Sequence, residues 1–187
     1  MPSSLPRIIV VGCSCSGKST YARSLSAVLG FPRVELDALY WGPEWQPKPA
    51  ELFRALTAQA VAGERWLVEG NYSGVRDLLW PRATAVIWLN YSFLTVFRRA
   101  LYRTLKRILT RETLWQGNRE SFRRSFLSRE SILLWVITSF RRRNREFRAL
   151  QSSGKYPNLT WVEFHRPAQA RAYLQALVTS DGSDPTA

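Results

Sequence analysis

Eight consecutive residues, Gly12-Cys13-Ser14-Cys15-Ser16-Gly17-Lys18-Ser19, spell GxxxxGKS. A glycine-rich loop of this spacing turns successive backbone N–H groups inward around a chain of phosphates. The helix that follows adds the partial positive charge of its N-terminus, and the lysine reaches the outer phosphates. Here that lysine is Lys18, the Ser19 hydroxyl is placed to ligate Mg²⁺, and Thr20 adds a further hydroxyl. The flanks suit the motif. Ile8-Ile9-Val10-Val11 is a β-branched run that reads as a buried strand, and Ser19 to Leu29 has helical apolar spacing. The expected ligand is therefore a nucleoside triphosphate, ATP with Mg²⁺, cradled by Gly12, Cys13, Ser14, Cys15, Ser16, Gly17, Lys18, Ser19 and Thr20.

In open α/β sheets, ligands bind beyond the carboxyl ends of the strands, so strand-end carboxylates are the next residues of interest. Asp37 follows the strand read at Arg33–Leu36, and Glu69 ends the strand at Trp66–Glu69. A carboxylate in that crevice can hold an acceptor hydroxyl, take its proton, or bind magnesium through water. Asp37 is expected to act on the acceptor side. Glu69 is expected to join Ser19 at the metal. For each, a helix cap or a surface ion pair is the plainer alternative.

Phosphoryl transfer concentrates negative charge, and arginines that close over it offset that charge while excluding water. Residues 98–148 hold fifteen Lys/Arg against four Glu, so +11 of the formal +13 charge lies there. Such a block calls for a polyanionic partner, or else forms a solvated helical face. As a hinged lid, its first helix would bring Arg99, Arg103 or Arg107 to the phosphates, and its last would bring Arg141, Arg142, Arg143 or Arg145. Arg103 and Arg142 are the two assigned to catalysis.

The elements that must position these groups alternate strand and helix, which predicts a parallel sheet covered on both faces. Strands are expected at residues 7–11, 33–36, 66–69, 83–89 and 159–164, with helices at 19–29, 50–62 and 166–177. Between strands four and five lies a segment too long for a simple crossover. Phe97, Leu101, Leu105, Ile108 and Leu109 recur there at helical steps, and further helices are read at 119–128 and 130–150. Residues 1–180 then make one domain, with 98–150 as a basic helical lid and a polar tail, 181–187, expected to be disordered.

Two aromatics, Trp41 and Trp45, follow Asp37 where an acceptor would dock; they either stack on a base or sugar or pack between helices. His165 is the sole histidine and receives no catalytic role. The two cysteines, Cys13 and Cys15, fall inside the phosphate loop, where a bridge would distort it, so a reduced, cytoplasmic protein is expected. No apolar stretch approaches the roughly 20 residues needed to span a bilayer, and no membrane partner is expected.

With these residues placed, the chain resembles an adenylate-kinase-like P-loop protein, and more closely the small bacterial group of DNA topology modulation proteins. The resemblance rests on Val11 through Thr20, on Leu36-Asp37-Ala38-Leu39-Tyr40-Trp41, on Trp66-Leu67-Val68-Glu69-Gly70-Asn71-Tyr72, and on Val86-Ile87-Trp88-Leu89 with the Arg98-Arg99 helix. It implies a three-layer nucleoside-monophosphate-kinase fold: a five-stranded parallel sheet of order 2-3-1-4-5, with the lid before the last strand. It also implies an acceptor near the ends of strands two and three. The Asp-Gly-aromatic-Pro-Arg element of nucleoside-monophosphate kinases stands here as Glu69-Gly70-Asn71-Tyr72, without the Pro-Arg pair. That departure argues against a nucleoside monophosphate as acceptor.

Two functions follow. The first is a Mg²⁺-dependent kinase moving the γ-phosphoryl group of ATP to a small nucleotide, nucleoside or similar acceptor. The second is a nucleotide-regulated nucleic-acid-binding protein, with Trp115, Phe122, Phe126, Trp135 and Phe140 interleaved among the cations of residues 98–148.

Overall fold

Strands buried on both faces need no polar alternation, and β1 (Arg7–Gly12) has none: Ile8 to Val11 are all at most 1% exposed. It lies at the centre of a sheet whose order is β2-β3-β1-β4-β5, every pairing parallel. This is a computed structural model, and it describes residues 6–110 and 132–181. The other strands are β2 (Arg33–Glu35), β3 (Trp66–Glu69), β4 (Ala85–Leu89) and β5 (Thr160–Phe164). The helices are α1 (Lys18–Leu29), α2 (Leu36–Tyr40), α3 (Ala50–Ala60), α4 (Arg76–Leu79), α5 (Phe93–Thr110), α6 (Ile132–Ser152) and α7 (Pro167–Asp181).

Alternate residues of the strands build two cores. Ile8, Val10, Leu67 and Ile87 pack with Tyr21 and Leu25 of α1, with Val96 and Ala100 of α5, and with Ala170 of α7. Ile9, Val11, Val68 and Trp88 face the other way, onto Phe53 of α3 and Leu79 of α4. Helix α6 contributes to both: Val136 joins the first core and Phe147 the second. It therefore passes from one face of the sheet to the other, and the arginines between those two residues travel with it. Phe147 meets Trp88 edge-on at 5.7 Å, which fixes the later turns of α6 to β4.

One element differs from the sequence reading. The second strand stops at Glu35, and Asp37 lies in the first turn of α2, closed by the Trp41 N–H to Asp37 carbonyl bond. Among the described residues β2 pairs with β3 alone, and the last register pair is Glu35 with Glu69. Beyond it Gly70 turns away at φ +141°, where a Cβ would lie 2.9 Å from that of Leu36. With no neighbour left to bond, the chain coils. The Trp/Pro stretch after Tyr40 is an ordered turn, with Gly42 N–H on the Gln46 carbonyl and Lys48 N–H on the Tyr40 carbonyl. The expected helix at 119–128, residues Trp115, Phe122 and Phe126, the side chains of Arg107 and Trp135, and all but the first residue of the 181–187 tail lie outside the described residues.

Candidate functional site: a phosphate cradle beside an aromatic cleft

Between β1 and α1 the chain forms a loop with three positive φ angles: Gly12 at 154°, Cys15 at 65° and Gly17 at 95°. At Gly12 a Cβ would fall 2.8 Å from both the Leu89 carbonyl oxygen and Ser16 Oγ, so only glycine fits. Lys18 Nζ donates to the Gly12 and Cys13 carbonyls, at 3.1 Å each. Arg99 of α5 donates from Nη1 to the Ser16 carbonyl at 2.6 Å, with its guanidinium 5.2 Å from the Tyr91 ring centre. Two cations thus converge on one loop. Ser14 is half-buried and Thr20 is exposed at its rim.

The thiols are enclosed. Neither Cys13 nor Cys15 is in a disulfide and both are buried, and burial pushes the Cys13 thiol up despite the nearby Lys18 charge. A thiol kept neutral is a poor nucleophile, so Cys13 serves as a packed lining of the loop.

Glu69 is 3% exposed at the end of β3 and accepts hydrogen bonds from Arg33 and the Ser19 hydroxyl. Burial raises its pKa, opposed by the Ser19 bond, while Glu35 across the register adds to the rise. Ser19 and Glu69 therefore bring hard oxygen donors together beside the cradle. Among the described residues no group of three or more His, Cys, Asp or Glu could hold a metal by itself. Such a sparse oxygen set fits Mg²⁺, which keeps much of its water and takes ligands from phosphate.

Asp37 is tied to Tyr72, whose hydroxyl donates to Asp37 Oδ1 at 2.5 Å. Burial and the Asp37 carboxylate push the Tyr72 phenol far up, so it stays a donor. Tyr72 lines a cleft of about 390 Å³ with Tyr40, Phe53, Lys48, Asn71 and Arg143. The three rings touch one another, with centroids 4.7 to 5.2 Å apart. Trp41 stands edge-on to Tyr40, and Trp45 edge-on to Trp41, outside the cleft lining.

Arg143 owes its position to Glu146, which it contacts at 2.9 Å and which also accepts from Arg76. Of the two arginines assigned from sequence, Arg103 is half-buried, its Nε enclosed and without a hydrogen-bond partner, and Arg142 is exposed on α6. Arg99 joins Lys18 on the cradle, and Arg143 and Lys48 line the cleft. Periodicity places a guanidinium on a helix, but it cannot say which turn of that helix meets a loop 83 residues away. Asn71 had a signal in the sequence, an amide directly after a strand-ending glycine, and received no role from it.

No family model matches the chain, and no curated protein matches it. Solved structures do. A shikimate kinase from Acinetobacter baumannii, in complex with shikimate, superposes with a TM-score of 0.54 at 14% identity, covering 100% of this chain and 98% of that one. A shikimate kinase from Bacteroides thetaiotaomicron gives 0.52 at 14% identity, over 95% and 99%. The fold is that of the small P-loop kinases. A gluconokinase from Sinorhizobium meliloti 1021 is 19% identical over 97% and 99%, with a TM-score of 0.48. At these identities the likeness is one of architecture. It bears on the wide adenylate-kinase-like resemblance and not on the narrower DNA topology modulation group. No described helix is long and apolar enough to cross a membrane.

Proposed function

We propose that this protein is an ATP-dependent kinase that phosphorylates a small hydroxyl compound held in the cleft beside the P-loop. One observation carries the reading: a phosphate cradle and an aromatic, cation-bearing cleft lie side by side and share Asn71. In this reading residues 1–180 form one P-loop kinase-like domain, with 98–150 as its lid segment. Lys18 and Arg99 hold the phosphate tail, and Arg103 and Arg142 add charge from the lid helices. Ser19 and Glu69 would hold Mg²⁺, which when bound would offset charge between the phosphates.

The acceptor oxygen bonds to the γ-phosphorus as the bond to the departing ADP oxygen breaks. Its proton passes to Asp37, which keeps Oδ2 for it while Oδ1 is held by Tyr72. Phosphoryl transfer needs mainly positioning and charge compensation, and both are what this site offers. Lys48 and Arg143 in the cleft suit an acceptor with an anionic group, and the rings of Tyr40 and Tyr72 suit an apolar face beside it. The DNA topology modulation group remains the narrower family we favour, and two cysteines outside any disulfide suit the cytoplasm.

Incubation with γ-labelled ATP and pooled small hydroxyl compounds, anionic and neutral, tests transfer and identifies the acceptor. Lys18→Ala should abolish labelling and keep its melting temperature. Wild-type turnover in that variant would exclude the mechanism.

The nucleic-acid alternative stands on exposed cations such as Arg98, Lys106, Arg141 and Arg145. Of the rings named for stacking, Phe140 packs edge-on to Phe93 at 5.3 Å.

A further inference from the structure

The parallel ladder between β3 and β1 does not end where the backbone leaves it. Gly70 N–H still donates to the Val10 carbonyl, at 3.3 Å. One residue on, a side chain continues the pairing. Asn71 Nδ2 donates to the Gly12 carbonyl at 2.5 Å, and Gly12 N–H donates to Asn71 Oδ1 at 3.3 Å. The carboxamide thus takes both backbone groups of the first residue of the P-loop, and the two bonds together determine which way the amide points.

The same Gly12 carbonyl accepts from Lys18 Nζ at 3.1 Å. Asn71 and Lys18 therefore meet at one oxygen. When the ammonium turns to phosphate it must give up part of its bonding to the Gly12 and Cys13 carbonyls. A half-buried carbonyl that loses its donor costs free energy unless another donor remains. Asn71 is that donor, and it also lines the acceptor cleft.

We infer that Asn71 is a positioning residue of the donor site: its carboxamide holds Gly12 in place so that Lys18 is free to engage phosphate. The inference rests on the nucleotide-binding reading above and adds a specific residue to it. Asn71 touches no reacting atom in this account; it acts through Gly12 and Lys18.

The test is the affinity of the full chain for MgATP and for magnesium tripolyphosphate, which meets the cradle alone. Asn71→Ala, Asn71→Asp and Asn71→Gln are measured by calorimetry, with melting temperatures alongside. Asn71→Asp has nearly the shape of the amide but faces the Gly12 carbonyl with an acceptor and adds negative charge beside Lys18. Lost hydrogen bonding and added charge should weaken both ligands about fivefold in Asn71→Ala and about thirtyfold in Asn71→Asp, with equal factors for the two ligands.

A side chain that merely fills space would give the opposite order, with the isosteric Asp milder than Ala, and that order would overturn the inference. Wild-type affinity in Asn71→Asp would overturn it too, as would failure of all three variants to fold. If the wild type binds neither ligand, the nucleotide-binding reading itself falls, and this inference with it.

Discussion

Arg99 of α5 and Ser16 of the P-loop are joined by a 2.6 Å hydrogen bond from guanidinium to backbone carbonyl, across 83 residues of chain. The contact places a fixed positive charge on the loop from the first helix of the basic segment. A Cβ on Gly17 would lie 3.1 Å from the same Nη1, so the guanidinium also lies over the glycine that opens α1.

Arginines that offset charge in phosphoryl transfer are worth orders of magnitude in rate, so Arg99→Ala should lower kcat by about a hundredfold or more. Arg99→Lys keeps the charge but loses the planar fork, and should recover only part of the loss. Steady-state kinetics on the labelled-ATP assay decides. A kcat within twofold of wild type would make the bond to Ser16 purely structural.

Asp37 and Tyr72 make separable predictions. Removing the carboxylate in Asp37→Asn should lower kcat by about 10²–10⁴, the range of a lost general base. Tyr72→Phe removes one hydrogen bond to Asp37 and one polar group of the cleft, so acceptor KM should rise by about three- to tenfold with a smaller change in kcat. Neither should alter the dissociation constant for MgATP. A weaker MgATP complex in either variant would show that the two sites are not divided as described.

Glu146 sets a pH dependence. Burial alone would raise its pKa, but Arg76 and then Arg143 outweigh that and hold the carboxyl below its ordinary range. With a folded-state pKa below the unfolded one, the group stabilises the fold at neutral pH, and that contribution fades as pH falls through the folded value. Thermal melts of wild type and Glu146→Gln should differ by about 1 kcal/mol at pH 7 and converge in acid, the modest figure reflecting partial exposure. Because Glu146 also holds Arg143 at the cleft, acceptor KM should rise in the variant at neutral pH. Parallel melting curves from pH 7 to pH 3 would remove Glu146 as the cause.

Local chemistry made part of this protein readable without coordinates. Gly12 to Ser19 announce a phosphate loop because glycine positions, a lysine and a hydroxyl recur at a spacing that only that loop needs. The apolar runs Ile8–Val11, Trp66–Val68 and Ala85–Leu89 announce buried parallel strands because no polar residue interrupts them.

What lay beyond sequence was anything decided by contacts between distant segments. Asp37 entered α2 where the pairing of β2 with β3 ends, at Glu35 and Glu69. Arg99 meets the loop and Arg143 lines the cleft because the packing of α5 and α6 selects which turn of each helix faces inward. Asn71 found Gly12 because the ladder register of β3 against β1 sets the two side by side. Periodicity sorts residues by face, whereas the rotation and register of each element follow from how the whole core fills space.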